Sequence, residues 1–180
     1  MTHCIALLRG INVGRAKRVA MADLRALFEA LGYVDVRTLL NSGNVVFRAP
    51  RTDVTVLAPA IEVAISARFG FCVPVVLLTA DELEAVVAEN PLPKAGGDPS
   101  KHLVAFVSDV VALEQAKALL RESWAPDVFA VGGRAAYLWC ATGIIESRLA
   151  QAFSRVAGDA ATTRNWSTVL KLQVATRSRL

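Results

Sequence analysis

Histidine and cysteine are scarce in this sequence, which has two histidines and three cysteines among 180 residues. The cysteines are Cys4, Cys72 and Cys140; they form no CxxC pair and are odd in number, so the spacing of a zinc site or a disulfide framework is absent. Each lies in an apolar run, which predicts three reduced thiols in the core. The residue types therefore suggest neither a metal site nor a cofactor.

Long apolar runs are also absent. The longest uncharged, mostly apolar stretch, Phe69–Ala80, has 12 residues, well short of the ~20 that a membrane-spanning helix requires. Met1–Leu8 is too short for a secretory signal, and its basic residue comes after the apolar run rather than before it. We therefore expect no membrane association and, by default, a cytoplasmic location.

The remaining composition is that of a folded globular chain. Glycine and proline together account for 18 residues, so a collagen-like or disordered composition does not apply. Hydrophobic residues make up 54% and charged residues 20%. A chain of this length forms one domain or two small ones and buries roughly 70% of its unfolded surface. The composition does not specify an oligomeric state.

The net charge of +4 is unevenly distributed along the chain. Residues 1–50 carry seven basic and three acidic groups, residues 51–100 carry three and seven, and residues 151–180 carry five and one. Both ends of the sequence are basic and the middle is acidic. A face that binds anions would therefore draw on the two ends together.

Hydrophobic periodicity predicts six elements in the first 79 residues, in the order β-α-β-β-α-β. The predicted strands are His3–Arg9, Val34–Leu40, Asn44–Arg48 and Cys72–Leu78; one helix runs from Met21 to a stop at Gly32, and the other contains Leu57, Ile61 and Ile65, with Pro59 in its first turn or at a kink. Asn41-Ser42-Gly43 suits the turn of a hairpin. This order is that of a ferredoxin-like unit, whose central strands are the first and the third.

The second half repeats much of this order. A helix starts at Thr79, where Thr79 and Glu82 have capping-box spacing, and Pro91–Lys101 reads as a linker. The predicted strands after it are Leu103–Val107, Asp127–Val131 and Ala135–Cys140. The predicted helices are one through Leu113, Ala116, Leu119 and Leu120, one from Thr142 that carries Ile145, Leu149 and Phe153, and a final one from about Asn165, with Trp166, Val169 and Leu170 inward, in place of a fourth strand. Gly132-Gly133 marks the second hairpin.

The predicted fold class is α+β, with two ferredoxin-like (split β-α-β) subdomains, antiparallel sheets and a C-terminal helix. We expect residues 1–79 to form the first subdomain and residues 80–101 a helix and a proline-rich linker. Residues 102–180 are expected to form the second, related subdomain with the C-terminal helix.

Four separated motifs resemble a bacterial family of about this length, the domain of unknown function 1697. They are LLRGINVG at Leu7–Gly14, MADLRALFEALG at Met21–Gly32, NSGNVVF at Asn41–Phe47 and TTRNWSTVLKL at Thr162–Leu172. The resemblance implies two α+β subdomains of ferredoxin-like character and brings no established activity. The sequence departs from the family pattern at Arg15, where a glycine is usual, and at Ala20, where a proline is usual, so the first loop is bulkier and more basic.

The first candidate site is the glycine-punctuated loop after the first strand. Its candidate ligand-binding residues are Arg9, Gly10, Asn12, Gly14, Arg15 and Lys17. Backbone N–H groups, a helix start and several cations favour an anion such as phosphate. The spacing matches neither GxGxxG nor the P-loop. The alternative is an ordinary long loop with solvated cations.

Two other segments carry candidate ligand-binding residues. At the hairpin turn, Ser42 and Asn44 contribute a hydroxyl and an amide that would line a site formed with the first loop if both lie at the same sheet end. The sequence does not fix which sheet end the turn occupies. At Arg164-Asn165-Trp166, a predicted helix start, Arg164 would hold a phosphate and Trp166 would stack on a base. The structural alternative is an N-cap from Thr163 or Asn165, with Trp166 packed against the protein body.

These observations favour a binder of a small phosphorylated or carboxylated ligand, or an enzyme acting on one, with Arg164 lying near the cations of the first loop. One alternative is nucleic-acid binding. The strand aromatics Phe47, Phe106 and Tyr137 argue against it, because they are isolated in the sequence and do not form a pair that could stack on bases. The other alternative is a structural or interaction protein without a ligand. No catalytic residue is identified.

Overall fold

The computed structural model describes residues 1–50, 54–92 and 97–177, and within these ranges the chain forms eight strands and six α-helices. They are β1 (Thr2–Leu8), α1 (Met21–Ala30), β2 (Val34–Leu39), β3 (Asn44–Ala49), α2 (Val54–Phe69), β4 (Val75–Thr79), α3 (Ala80–Glu89), β5 (His102–Val107), α4 (Val110–Ala116), β6 (Val128–Val131), β7 (Ala135–Trp139), α5 (Arg148–Ala157), β8 (Ala161–Asn165) and α6 (Trp166–Arg177). The chain divides into two compact units: Met1–Leu83 with the segment from Leu172 onward, and Glu84–Lys171.

The first unit contains a four-stranded antiparallel sheet with the order β2-β3-β1-β4. The prediction that the first and third strands are central is therefore confirmed. Ile5 of β1 lies opposite Val46 of β3 on one side and Leu78 of β4 on the other. Because strand neighbours alternate in direction, the C-terminal end of β1 and the N-terminal ends of β3 and β4 share one end of the sheet.

One face of this sheet forms the core with α1 and α2. Phe28 of α1 meets Phe47 of β3 edge-on, with 5.1 Å between ring centroids, and Ile61 and Ile65 of α2 are fully buried in the same cluster. Helix α1 ends as predicted near Gly32, which has a φ of +85°. Pro59 is the sixth residue of α2, beyond its first turn.

The second unit has a sheet with the order β6-β7-β5-β8, the same topology as the first. The expectation that the final helix replaces the fourth strand is wrong, because Ala161–Asn165 pairs antiparallel with β5, Arg164 lying opposite Val104. The segment is short and polar and lacks an apolar alternation, so its strand character comes from pairing with β5 rather than from its own residues. The second unit is thus a complete β-α-β-β-α-β copy.

Helix α5 also begins later than predicted. Its N-cap is Ser147 rather than Thr142, since the Ser147 Oγ accepts a hydrogen bond of 2.9 Å from the Ala150 N–H and donates one of 2.7 Å to Asp127 Oδ2. Ile145, predicted to belong to this helix, lies before its start and is 84% exposed. The cap depends on Asp127, which is distant in sequence, so the local pattern did not show it.

The capping box predicted at the start of α3 is confirmed. The Thr79 N–H donates to Glu82 Oε2 at 2.9 Å, and the Glu82 N–H donates to Thr79 Oγ1 at 3.1 Å.

The prediction that all three cysteines are core thiols is wrong for Cys72, which precedes β4 and is exposed. Cys4 and Cys140 are buried, as predicted.

Part of the predicted linker Pro91–Lys101, residues 93–96, lies outside the described residues. Its last part forms a short 3-10 turn over Pro99–Lys101, capped by Asp98, which accepts a hydrogen bond from the Ser100 N–H. In the portion of the chain that the structure describes, no helix combines the length and apolar character needed to cross a bilayer.

Candidate functional site

The loop that joins β1 to α1, residues 9–20, is closed on itself by Asn12; we call it the basic loop. Asn12 Nδ2 donates to the Val19 carbonyl at 2.9 Å, and Asn12 Oδ1 accepts from the Val19 N–H at 2.9 Å. The Asn12 N–H donates to the Lys17 carbonyl at 3.1 Å. Asn12 and Lys17 both adopt positive φ, which is uncommon for residues other than glycine. These bonds hold the basic loop in one conformation.

The basic loop lies against the turn between β2 and β3. Asn12 Nδ2 also donates to the Asn41 carbonyl at 2.8 Å, and the Leu8 N–H donates to the Gly43 carbonyl at 2.8 Å. A Cβ atom on Gly43 would come within 2.6 Å of Ile11 Cδ1. The structure therefore places the hairpin turn and the basic loop at the same end of the first sheet, which the sequence alone did not fix.

The segment that enters β4 anchors the basic loop from its other side, and sequence reasoning missed it. The Arg9 N–H donates to the Pro74 carbonyl at 3.0 Å, and Lys17 Nζ donates to the Cys72 carbonyl at 3.0 Å. The antiparallel pairing of β1 with β4 brings these residues together. The predicted ferredoxin-like order is compatible with that pairing, but no local motif marks Cys72 or Pro74.

The basic loop carries four cations and no acidic residue. Lys17 is tied to Cys72 as described, and Arg9 is partly exposed. Arg15 and Arg18 are exposed, and neither forms an ion pair with any carboxylate in the described ranges. Within the described ranges, solvent rather than a carboxylate therefore compensates the charges of Arg15 and Arg18.

The predicted residues of the hairpin turn have structural contacts. Asn44 is fully buried, and its Nδ2 donates to the Leu39 carbonyl at 2.7 Å and to Ser42 Oγ at 3.0 Å. Ser42 is exposed at the turn. Asn44 thus braces the hairpin, while the Ser42 hydroxyl lies at the sheet end that carries the basic loop.

Arg164 belongs to the second unit and is 7% exposed. Its Nη1 donates to Thr162 Oγ1 and to the Thr163 carbonyl, both at 2.9 Å. Burial lowers the pKa of the Arg164 guanidinium to about 10, so the group keeps its proton at neutral pH. Because the basic loop belongs to the first unit, its association with Arg164 in one anion site stays a prediction.

Asn165 and Trp166 form the start of α6. Asn165 Oδ1 accepts from the Thr168 N–H at 3.0 Å, from Thr168 Oγ1 at 2.7 Å and from Ser167 Oγ at 2.9 Å, which is an N-cap arrangement. The Trp166 indole stacks on the His102 imidazole, with 5.0 Å between ring centroids and 11° between ring planes. These contacts correspond to the structural alternative considered for this segment.

His102 connects this cluster to the end of α3. Its Nε2 lies 3.4 Å from Asn90 Nδ2. Burial lowers the pKa of His102 below its ordinary value of 6.5 because the charged imidazolium loses hydration. The stacked, buried ring is a packing element of the second unit.

Two β-α-β-β-α-β units with four-stranded antiparallel sheets, one of them carrying a braced basic loop, define an α+β protein with a duplicated ferredoxin-like topology. The chain belongs to the family described as "Protein of unknown function (DUF1697)", whose model matches residues 1–137. That match includes the basic loop and the hairpin turn; the segment Thr162–Leu172 lies beyond it.

Among solved structures, the chain is similar to the conserved bacterial protein SP0830 from Streptococcus pneumoniae. The two share 21% sequence identity, with a TM-score of 0.76 over 98% of this chain and 99% of that one. At this identity the likeness establishes the fold. No curated protein matches the chain.

Proposed function

We propose that this protein binds a small phosphorylated or carboxylated ligand at the basic loop. One observation carries the proposal: exposed Arg15 and Arg18 have no carboxylate partner in the described ranges, on a loop that Asn12 holds in one conformation. A guanidinium that is solvated in the free protein exchanges water for a phosphate or carboxylate with charge-assisted hydrogen bonds.

The fixed shape of the loop supports binding in a second way. A flexible loop would lose conformational freedom when it binds, and that loss would weaken the affinity. The hydrogen bonds from Asn12 to Val19 and to Asn41 are already present without a ligand. The backbone that carries Arg15 and Arg18 is therefore ordered before the ligand arrives.

A small ligand fits the observations better than a polynucleotide does. Phe47, Phe106 and Tyr137 are fully buried, and the Tyr137 hydroxyl donates to the Val86 carbonyl at 2.7 Å, so none of these rings offers a stacking surface for bases. The net charge of +4 is also modest. A small ligand is therefore favoured, and titration with an oligonucleotide distinguishes it from a polynucleotide.

The test is a set of titrations with inorganic phosphate, acetate and a short single-stranded oligonucleotide, each at two salt concentrations. Arg15→Ala and Arg18→Ala should each weaken phosphate binding by about tenfold, corresponding to about 1.4 kcal/mol. Arg25→Ala is the matched control, because Arg25 is exposed on neighbouring α1 but paired with Glu29 at 2.8 Å. It should leave the affinity within about a factor of two.

Two results would contradict the proposal. One is an equal loss of affinity in Arg25→Ala, which would indicate unspecific attraction. The other is an oligonucleotide affinity that exceeds the phosphate affinity and falls steeply with salt, which would indicate a polynucleotide ligand.

Arg164→Lys in the same titrations tests whether Arg164 contributes to phosphate binding, as predicted. We expect the variant to bind phosphate about tenfold more weakly. An unchanged affinity would make the role of Arg164 purely structural.

A further inference from the structure

The second unit contains a groove of ≈ 380 Å³ beside α5 that no motif in the sequence marks. Its lining residues are Leu119, Glu122, Trp124, Arg148, Gln151, Ala152, Arg155 and Val156. Three of the polar ones, Arg148, Gln151 and Arg155, have the spacing i, i+3 and i+7, which places them on one side of the helix. A groove of this volume is within the usual range for small-molecule sites.

The two arginines of the groove are exposed to solvent. Arg148 and Arg155 are exposed, and no carboxylate in the described part of the chain forms an ion pair with either. Arg148 is also the first residue of α5, directly after the Ser147 cap. The helix dipole disfavours a cation at that position. Asp127, whose Oδ2 accepts a hydrogen bond from Ser147 Oγ, places a carboxylate at this cap, and Arg148 also lines a smaller pocket with Asp127 and Glu146. A bound anion is therefore favoured by the two arginines that line the same groove, and not by the helix dipole.

The helix geometry allows both guanidinium groups to reach the same ligand. Residues seven positions apart on a helix differ by about 10.5 Å along its axis and by only about 20° around it. Ala152 lies between Arg148 and Arg155 in sequence and contributes only a methyl group to the groove lining. It therefore presents no bulky side chain to a ligand that contacts both arginines.

The part of the lining that lies outside α5 has a different chemistry. Trp124 is partly buried, and its Nε1 donates to the Leu119 carbonyl at 2.8 Å, which fixes the indole in the wall. Glu122 is exposed and forms no ion pair within the described ranges. The groove therefore combines two cations, one carboxylate and an aromatic ring, with a net lining charge of +1 from Arg148, Arg155 and Glu122.

We propose that this groove is a second binding site, for a sugar or other polyol that carries a single phosphate. Arg148 and Arg155 bind the phosphate, Glu122 accepts hydrogen bonds from hydroxyl groups, and Trp124 packs against the apolar face of the ring. The carboxylate opposes ligands with several phosphates, because one anion in the wall would repel the excess charge. The residues of this site belong to the second unit, whereas the basic loop belongs to the first.

The test uses the full chain with Arg15→Ala and Arg18→Ala in the background, so that the basic loop does not contribute. The probes are glucose 6-phosphate, inorganic phosphate and glucose, with affinities measured by calorimetry. Arg148→Ala and Arg155→Ala should each weaken glucose 6-phosphate binding by about tenfold. Lys171→Ala is the control, since it removes an exposed cation of the same unit outside the groove, and it should change little.

Glu122→Gln tests the role of the carboxylate separately from that of the two arginines. Removing the carboxylate should strengthen inorganic phosphate binding, because a repulsive charge is lost, and weaken glucose 6-phosphate binding, because a strong hydroxyl acceptor is lost. The proposal is overturned if no probe binds at millimolar concentration, if Lys171→Ala has the same effect as the groove variants, or if Glu122→Gln moves both ligands in the same direction. Because all these residues are exposed, loss of folding does not explain a loss of binding.

Discussion

At the scale of single residues, three asparagines that the sequence suggested as ligand contacts are engaged with the protein itself. Asn12 closes the basic loop, Asn44 braces the hairpin, and Asn165 caps α6. A short amide bonds readily to nearby backbone groups, and the same residue type suits a ligand site. The sequence alone does not separate these roles, because the partners Val19, Leu39 and Thr168 are identified only by the folded geometry.

His102 gives a prediction at the same scale. Burial lowers its pKa in the folded protein below the ordinary value of 6.5, so the unfolded chain takes up the proton first as the pH falls. The contribution of His102 to stability is therefore complete above about pH 6.5 and decreases as the pH falls below it, by about 1.4 kcal/mol for each unit of pKa depression. Urea unfolding between neutral and mildly acidic pH measures this slope.

The matched variants are His102→Gln and His3→Gln, which each remove one of the two histidines. His102→Gln should be less stable at neutral pH, because it loses the stacking on Trp166, but its stability should depend less on pH. His3→Gln should keep the slope. An unchanged slope in His102→Gln would contradict the role assigned to this ring.

At the scale of elements, two predictions that rest on adjacent residues agree with the structure, and two element boundaries that involve distant partners were not predicted. The Thr79–Glu82 capping box and the Gly32 stop involve a few neighbouring residues and form as expected. Strand β8 was missed because its buried residues include Thr162 and Arg164, and because only pairing with β5 makes it a strand. The late start of α5 has a similar cause, since Asp127 holds its cap.

The contact between the hairpin turn and the basic loop gives a prediction at this scale. Gly43 has a φ of +82°, and a Cβ there would lie 2.6 Å from Ile11 Cδ1 and 2.8 Å from Leu8 Cβ. Gly43→Ala should therefore lower the free energy of unfolding by about 2–4 kcal/mol, from the strained backbone and the overpacking together. Chemical denaturation measures this loss.

Gly32→Ala is the control, because Gly32 has a similar φ of +85° but nothing within 4 Å of its added Cβ. It should lose only the backbone part, about 1–2 kcal/mol. If both variants were equally destabilised, the close packing of the turn on the basic loop would not be supported.

At the scale of the whole molecule, element order was sufficient to predict the fold class, because two copies of β-α-β-β-α-β with antiparallel sheets leave few topologies. The uneven charge along the sequence pointed to the basic loop, and in the structure that loop is ordered, exposed and free of acidic residues. The groove beside α5 was not predicted. Trp124 reaches it from outside the helix, so its residues do not form a local motif.

The central claim is that the basic loop is an anion-binding site. The most direct measurement follows the backbone amide resonances of isotope-labelled protein during a titration with inorganic phosphate, with Arg148→Ala and Arg155→Ala introduced to silence the groove beside α5. The account predicts saturable shifts that are largest in residues 9–20 and at the Asn41–Gly43 turn, and that disappear when Arg15 and Arg18 are replaced by alanine. Shifts that are absent from the basic loop, or that persist without these two arginines, would contradict it.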